Sequence, residues 1–63
     1  MIRPHNVPDH ATGRDFKSKN RKGEYWVWKA RKTYYWEAKG NNGEEETFDD
    51  ACEAARRWIR GDK

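Results

Sequence analysis

The residues able to form an apolar core are concentrated in the C-terminal two thirds of the chain. Eight of the nine aromatic residues lie between Tyr25 and Trp58, and Phe16 is the exception. The chain has 63 residues, of which 33% are hydrophobic and 40% are charged. A domain of this size buries only about 60% of the surface that its unfolded chain exposes. We therefore predict a single small domain whose core is drawn from residues 23–61.

The excess positive charge lies in the remaining N-terminal third. Residues 1–23 contain six Lys and Arg against two Asp, a net charge of +4, whereas the whole chain carries +3. This segment also holds both prolines and few apolar residues, so burial there cannot offset the entropy of ordering. We predict that residues 1–22 form a disordered, flexible basic N-terminal arm. Two roles stay open for it: a solvated tail, or a segment that docks on nucleic acid or on an acidic protein.

Composition excludes several classes of protein. No apolar run approaches the ~18 residues that a membrane span needs, and the start from Met1 to Pro4 lacks the apolar stretch of a signal peptide. A single cysteine, Cys52, cannot form an internal disulfide, which excludes a disulfide-stapled secreted scaffold. We expect a cytoplasmic protein with no membrane partner, located in the bacterial host cytoplasm if a phage encodes it. Met1 favours a whole protein, but a fragment stays open.

Two segments alternate in the way that strands do. Residues 24–30 (EYWVWKA) and 33–39 (TYYWEAK) are rich in aromatic and β-branched residues, which favour strands. Successive side chains of a strand point to opposite faces. We predict that the core face carries Trp26, Trp28, Ala30, Tyr34, Trp36 and Ala38. The connecting Arg31 and Lys32 make an unfavourable primed turn, so the register of this hairpin stays open.

A turn, a short third strand and a helix complete the predicted fold. The turn from Gly40 to Gly43 (GNNG) tolerates positive φ angles, and residues 44–47 (EEET) are expected to form an acidic edge strand. Thr47 or Asp49 caps a helix that Gly61 ends. Its apolar stripe has helical spacing and comprises Ala51, Ala54, Ala55, Trp58 and Ile59. The predicted fold class is α+β, a three-stranded antiparallel sheet packed by one C-terminal helix (β-β-β-α).

Catalytic and metal-binding chemistry has little support in the sequence. No Ser/His/Asp or Cys/His set is placed by a recognisable motif. Cys52, among helical alanines, fits a small buried hydrophobic side chain better than a reactive thiol. His5 and His10, with Asp9 between them, fall short of the three or four ligands that a metal site needs. We therefore expect a non-enzymatic protein without cofactor or metal.

The better candidate for a functional surface is the sheet face away from the helix, together with the arm. Aromatic rings among basic side chains can stack on bases or sugars while the charges bind phosphates. The candidate nucleic-acid-binding residues are Lys17, Lys19, Arg21, Lys22, Tyr25, Lys29, Arg31, Lys32, Tyr35 and Lys39. The alternative is a solvated face on which Lys stems cover Tyr rings.

Part of the chain resembles known DNA-binding domains. The resemblance is carried by Trp36-Glu37-Ala38, by the turn from Gly40 to Gly43, and by Thr47-Phe48-Asp49-Asp50-Ala51-Cys52-Glu53-Ala54-Ala55. Residues 24–60 are similar to three-stranded-sheet-plus-helix domains of the AP2 type and to the arm-binding N-terminal domains of phage integrases. The resemblance implies that the outer sheet face lies in the DNA groove, which points to Tyr25, Lys29, Arg31, Tyr35 and Lys39. The basic arm is similar to the flexible N-terminus of the integrase domains.

Two functions from different classes follow. The first is a small DNA-binding module, encoded by a phage or a mobile element, that binds double-stranded DNA with the outer sheet face and the basic arm. The alternative is a small protein–protein interaction factor that inhibits or modulates a larger host protein. Its docking patch would be acidic and comprise Glu44, Glu45, Glu46, Asp49 and Asp50. The oligomeric state and any DNA sequence preference stay open.

Overall fold

The computed structural model describes residues 3–61, which form an antiparallel sheet covered on one face by a helix. Along the chain the elements are β1 (Thr12–Lys17), β2 (Lys22–Ala30), β3 (Thr33–Ala38), β4 (Asn41–Glu45) and α1 (Phe48–Arg60). Each strand pairs with its sequence neighbour, in the order β1-β2-β3-β4. The predicted α+β class, with an antiparallel sheet and a C-terminal helix, is confirmed. Within the described residues no helix is long and apolar enough to cross a membrane.

The sheet has four strands, whereas the sequence predicts three. The additional strand, β1, comes from the segment expected to form the flexible arm, and it pairs with β2 from Thr12↔Val27 to Lys17↔Lys22. The sequence of β1, TGRDFK, does not predict a strand, because Phe16 is its only large apolar residue. β1 satisfies backbone N–H and C=O groups along the β2 edge that β3 leaves open. Phe16 also packs against the core cluster.

The connection between β2 and β3 decides which aromatic side chains are buried. It consists of Arg31 and Lys32 alone, with Arg31 at a φ of 61°, and Ala30 pairs with Thr33. Residues directly opposite each other in an antiparallel pair point to the same face of the sheet. A loop of this length therefore fixes which residues of the two strands share a face, and packing of the helix then buries one of the two faces.

This register reverses the predicted faces of β2 and keeps those of β3. Val27 pairs with Trp36, and both side chains point towards the helix. The core positions predicted for Trp26, Trp28 and Ala30 are wrong, because the same register places them on the outer face. The sheet residues that belong to the core or pack against it from β2 and β3 are Tyr25, Val27, Tyr34, Trp36 and Ala38.

The β3–β4 turn lies earlier than expected. Lys39 and Gly40 both have positive φ, 48° and 79°, which is the pattern of a tight primed hairpin turn. β4 begins directly after it, so the predicted turn from Gly40 to Gly43 and the predicted strand over residues 44–47 are both corrected. Gly43 lies in β4 opposite Trp36, and a Cβ there would stand 2.7 Å from the indole Nε1. The missing side chain leaves room for this indole ring.

α1 is capped by Thr47, one of the two caps that the sequence offers, and ends at the predicted Gly61. Thr47 Oγ1 accepts a hydrogen bond from the backbone N–H of Asp50 (3.0 Å), and Gly61, at a φ of 87°, follows the last helical residue. The buried helical positions are Ala51, Cys52, Ala55 and Ile59. Trp58 belongs to the predicted apolar stripe but is 44% exposed, since the side of the helix that includes Cys52 faces the sheet instead. Small helical side chains thereby leave space for the bulky rings of the sheet.

Residues 3–11 precede β1 and lie against the outer face of the sheet. The Asn6 side chain donates a hydrogen bond to Glu37 Oε2 (3.1 Å), and Val7 is only 3% exposed. The His10 ring nitrogen Nε2 lies 3.2 Å from the carbonyl oxygen of Lys29. Part of the outer face is therefore covered by the chain itself.

Candidate nucleic-acid interface

The antiparallel meander brings two turns to the same end of the sheet. Residues 18–21 connect β1 to β2, and residues 39–40 connect β3 to β4. α1 also ends here. The close approach of its last turn to the β1–β2 turn is shown by Gly61, where a Cβ would lie 3.9 Å from the Arg21 guanidinium. We call the surface formed by residues 17–22, 39–40 and 57–61 the basic end.

The basic end carries a group of exposed cations. They are Lys17, Lys19, Arg21, Lys22, Lys39 and Arg57. None of the three segments contains Asp or Glu. The fold thus brings four predicted bases of the arm together with Lys39 and with the last turn of α1, although these positions are far apart in the sequence.

Arg60 also lies at this end but is engaged within the fold. Its guanidinium forms an ion pair with Glu53 (3.3 Å) and lies 5.9 Å from the centroid of the Phe16 ring. Arg56 pairs with the same carboxylate, also at 3.3 Å. Hydrogen bonds from Arg60 and then Arg56 hold the pKa of Glu53 below its ordinary value of 4.5. These contacts link α1 to the edge strand β1.

Acidic residues and the β2–β3 turn lie at the opposite end of the sheet. Arg31 and Lys32 form this turn and are exposed. β4 ends and α1 begins there, which gathers four of the predicted docking acids, Glu45, Glu46, Asp49 and Asp50. The fifth, Glu44, lies on the outer face opposite Tyr35. Acids therefore outnumber bases at this end, where Arg31 and Lys32 lie among them.

The hairpin register moves two predicted contact residues away from the outer face. Tyr25 is 2% exposed beneath α1, and its hydroxyl accepts a hydrogen bond from Arg56 (3.4 Å). Lys29 points to the helix side of the sheet, where its ammonium lies 5.5 Å from the centroid of the Tyr34 ring. The outer-face positions expected for Tyr25 and Lys29 are wrong, whereas Tyr35 lies on that face, half-buried.

The outer face instead carries the tryptophans that the sequence places in the core. Trp28 stacks on Tyr35 with ring centroids 5.8 Å apart. Trp26 lines a groove of about 630 Å³ near the basic end, together with the nearly buried Glu37. The shared face of Trp26 and Glu37 could have been predicted from the length of the Arg31-Lys32 connection, because a two-residue loop places these two residues opposite each other.

The described residues contain one buried thiol and no grouped set of metal ligands. Cys52 is 5% exposed, which confirms its expected burial. Burial raises the pKa of this thiol, and the charges of Arg14 and Arg56 offset part of the rise. Within residues 3–61 no three His, Cys, Asp or Glu side chains are placed to hold a metal ion.

The fold and the site together define a small α+β domain with six exposed bases gathered at one end of a four-stranded sheet. Comparison with known proteins adds no relative, because no protein family, curated protein or solved structure matches the chain. Its function is therefore inferred from its own geometry and charge.

Proposed function

We propose that this protein is a small DNA-binding module that contacts the phosphate backbone of double-stranded DNA with its basic end. The observation that supports this function is the gathering of six exposed Lys and Arg in three segments that contain no acid. Five of the six lie in or beside turns of the sheet, where the backbone is already ordered, so binding costs less entropy there. Phosphate contacts then supply most of the affinity, with little dependence on DNA sequence.

This mode differs from the one that the resemblance to AP2-type and integrase domains implies. That resemblance directs the outer sheet face into the DNA groove, but residues 3–11 lie against part of this face. Tyr25, one of the side chains expected to contact DNA, is buried beneath α1. The turns of the basic end are exposed, and DNA contact through them needs neither the covered sheet face nor the buried Tyr25. Contact through these turns is therefore favoured.

The separation of charge favours one orientation of the molecule on DNA. Exposed Glu46, Asp49 and Asp50 lie at the end opposite to the exposed bases. Arg31 and Lys32 offset part of this negative charge. The negative field of DNA therefore attracts the basic end more strongly than the opposite end and steers it towards the phosphates. Salt screens this steering, and we expect both the affinity and the association rate to fall as the salt concentration rises.

A salt titration with matched charge-reversal variants tests this function. Fluorescence anisotropy follows the binding of a mixed-sequence duplex to the wild-type chain, to Lys19→Glu/Arg21→Glu and to Arg31→Glu/Lys32→Glu. Both variants change the net charge equally at exposed turn positions. We expect the first to weaken binding at least about 10-fold and to reduce the log–log salt slope by roughly 2, because each lost phosphate contact removes about 0.9. The second should change both quantities little.

Two outcomes would contradict the proposal. Equal losses in the two variants would mean that net charge alone, and not the basic end, supports binding. An absence of duplex binding at low salt would argue against the function itself.

A further inference from the structure

The groove lined by Trp26 is large enough for a small ligand. Its volume is about 630 Å³, and small-molecule sites typically span about 300–1,000 Å³. Its walls come from β1, β2, β3 and the segment before β1, which contributes Pro4. Lys17, Lys22 and Lys39 of the basic end line it as well. A ligand in the groove therefore lies beside the proposed phosphate-binding surface.

Two like-charge pairs face each other across the β1–β2 wall of the groove. Asp15 lies directly opposite Glu24, and Lys17 lies directly opposite Lys22. All four residues line the groove. Like charges opposite each other on one face of a sheet destabilise the strand pair. A ligand that places hydrogen-bond donors near the acids and an anion near the lysines relieves both repulsions.

Glu37 supplies a nearly buried acceptor in the same groove. It is 5% exposed, and Asn6 donates to its Oε2. An ionised carboxylate only accepts hydrogen bonds and has about four acceptor positions. Because a buried charge is costly unless it is paired and hydrogen-bonded, a ligand that donates N–H groups to Glu37 is favoured.

Trp26 also lines the groove. It faces Glu37 across the β2–β3 pair. On the other side its partner across the β1–β2 pair is Gly13, which has no side chain to cover the ring. Such rings stack on the flat faces of nucleobases. Ring and carboxylate together favour a planar ligand with N–H donors along one edge.

We propose that the groove binds an unpaired guanine base that carries a phosphate. The N1–H and 2-amino groups of guanine are adjacent donors that match the two oxygens of the Glu37 carboxylate, while Trp26 stacks on the purine ring. The phosphate lies towards the lysines of the basic end. Adenine and cytosine each place an acceptor nitrogen beside their amino group, and the carboxylate repels that nitrogen. This inference rests on the proposed function, because it assigns nucleotide chemistry to the surface beside the basic end.

Calorimetric titration of the full chain with GMP, AMP, CMP and UMP tests the groove. We expect GMP to bind at least about 10-fold more tightly than the other three, a difference that one bidentate hydrogen-bonded pair supplies. Glu37→Gln keeps the shape of the side chain but replaces one acceptor oxygen with an amide donor, and it should abolish the preference for GMP. The matched control, Glu44→Gln, changes a glutamate of the same sheet face that does not line this groove, and it should retain the preference.

A second pair of variants separates ligand contact from folding. Trp26→Leu should weaken the binding of all four nucleotides, with a thermal melt to check that the fold is kept. Lys22→Gln, at an exposed position, should weaken the binding of GMP and leave that of guanosine unchanged. A loss for guanosine equal to that for GMP would contradict the placement of the phosphate.

Single-stranded oligonucleotides that contain one G or one A among T residues identify the source of the base. Tighter binding of the G-containing strand than of GMP assigns the groove to single strands, and equal or weaker binding assigns it to free nucleotides. Equal binding of the four mononucleotides, or no binding at millimolar concentration, overturns the inference. Duplex binding and its loss in Lys19→Glu/Arg21→Glu report on the proposed function separately, so either proposal can fail alone.

Discussion

At the scale of single residues, the four tryptophans show that position decides the role of a side chain. Trp36 is 7% exposed and belongs to the buried cluster, whereas Trp58 is 44% exposed on the helix. Trp28 stacks on Tyr35 on the outer face, and Trp26 lines the groove. Hydrophobicity and alternation predict all four in the core, because these criteria identify apolar side chains but not the surface that each one meets.

Alanine substitution should separate the buried tryptophan from the exposed one. Removal of the Trp36 ring should lower the unfolding free energy by about 3–5 kcal/mol, a large share of the roughly 5–15 kcal/mol typical of native domains. Trp58→Ala removes a ring of which about half is exposed and should cost clearly less, about 1–2 kcal/mol. Urea unfolding followed by circular dichroism measures both values. Similar losses in the two variants would contradict the core assigned to these rings.

At the scale of elements, the helix was more predictable than the sheet. The Thr47 cap and the Gly61 stop are signals within a few residues of the helix ends, and both are confirmed. The segments of β2 and β3 were also predicted to within two residues at each end. The sequence did not predict β1, and it placed β4 too late in the chain. A short polar strand is stabilised by the strand beside it, and local propensity carries no information about that partner.

The cap at Thr47 gives a test at this scale. Thr47→Ala removes the oxygen that accepts from the Asp50 N–H and should lower the unfolding free energy by about 1 kcal/mol. Thr47→Ser keeps a hydroxyl at the exposed cap position and should retain most of that stability. Urea midpoints of the two variants give the comparison. A serine variant as unstable as the alanine variant would mean that the hydrogen bond is not what stabilises the helix start.

At the scale of the whole molecule, folding turns a basic stretch of sequence into a localised basic surface. Residues 17–22 hold four bases and precede most of the core residues in the sequence. Pairing of β1 with β2 places them beside Lys39 and the end of α1. The net charge of the chain is only +3, so the arrangement of the charges, and not their sum, is the argument for the proposed binding to DNA.

Deletion of residues 1–17 tests whether β1 is an integral part of the domain. It removes the partner of the β2 edge and the buried or packed side chains of Val7 and Phe16, so we expect loss of the cooperative thermal melt. Deletion of residues 1–4 keeps these features and should shift the melting temperature little. A cooperative, unshifted melt without residues 1–17 would mean that they form only a tail, as the sequence predicts.

The sequence by itself determined α1 with both of its ends, the α+β class and the burial of Cys52. These features depend on helical spacing, caps and propensities, which act within a few residues. Only the tertiary structure decided that β1 joins the sheet, that Tyr25 and Val27 rather than Trp26 and Trp28 face the helix, and that distant bases meet at one end. The physical reason is that alternation along one strand defines two faces but does not say which of them is buried. Pairing between strands decides which side chains share the buried face.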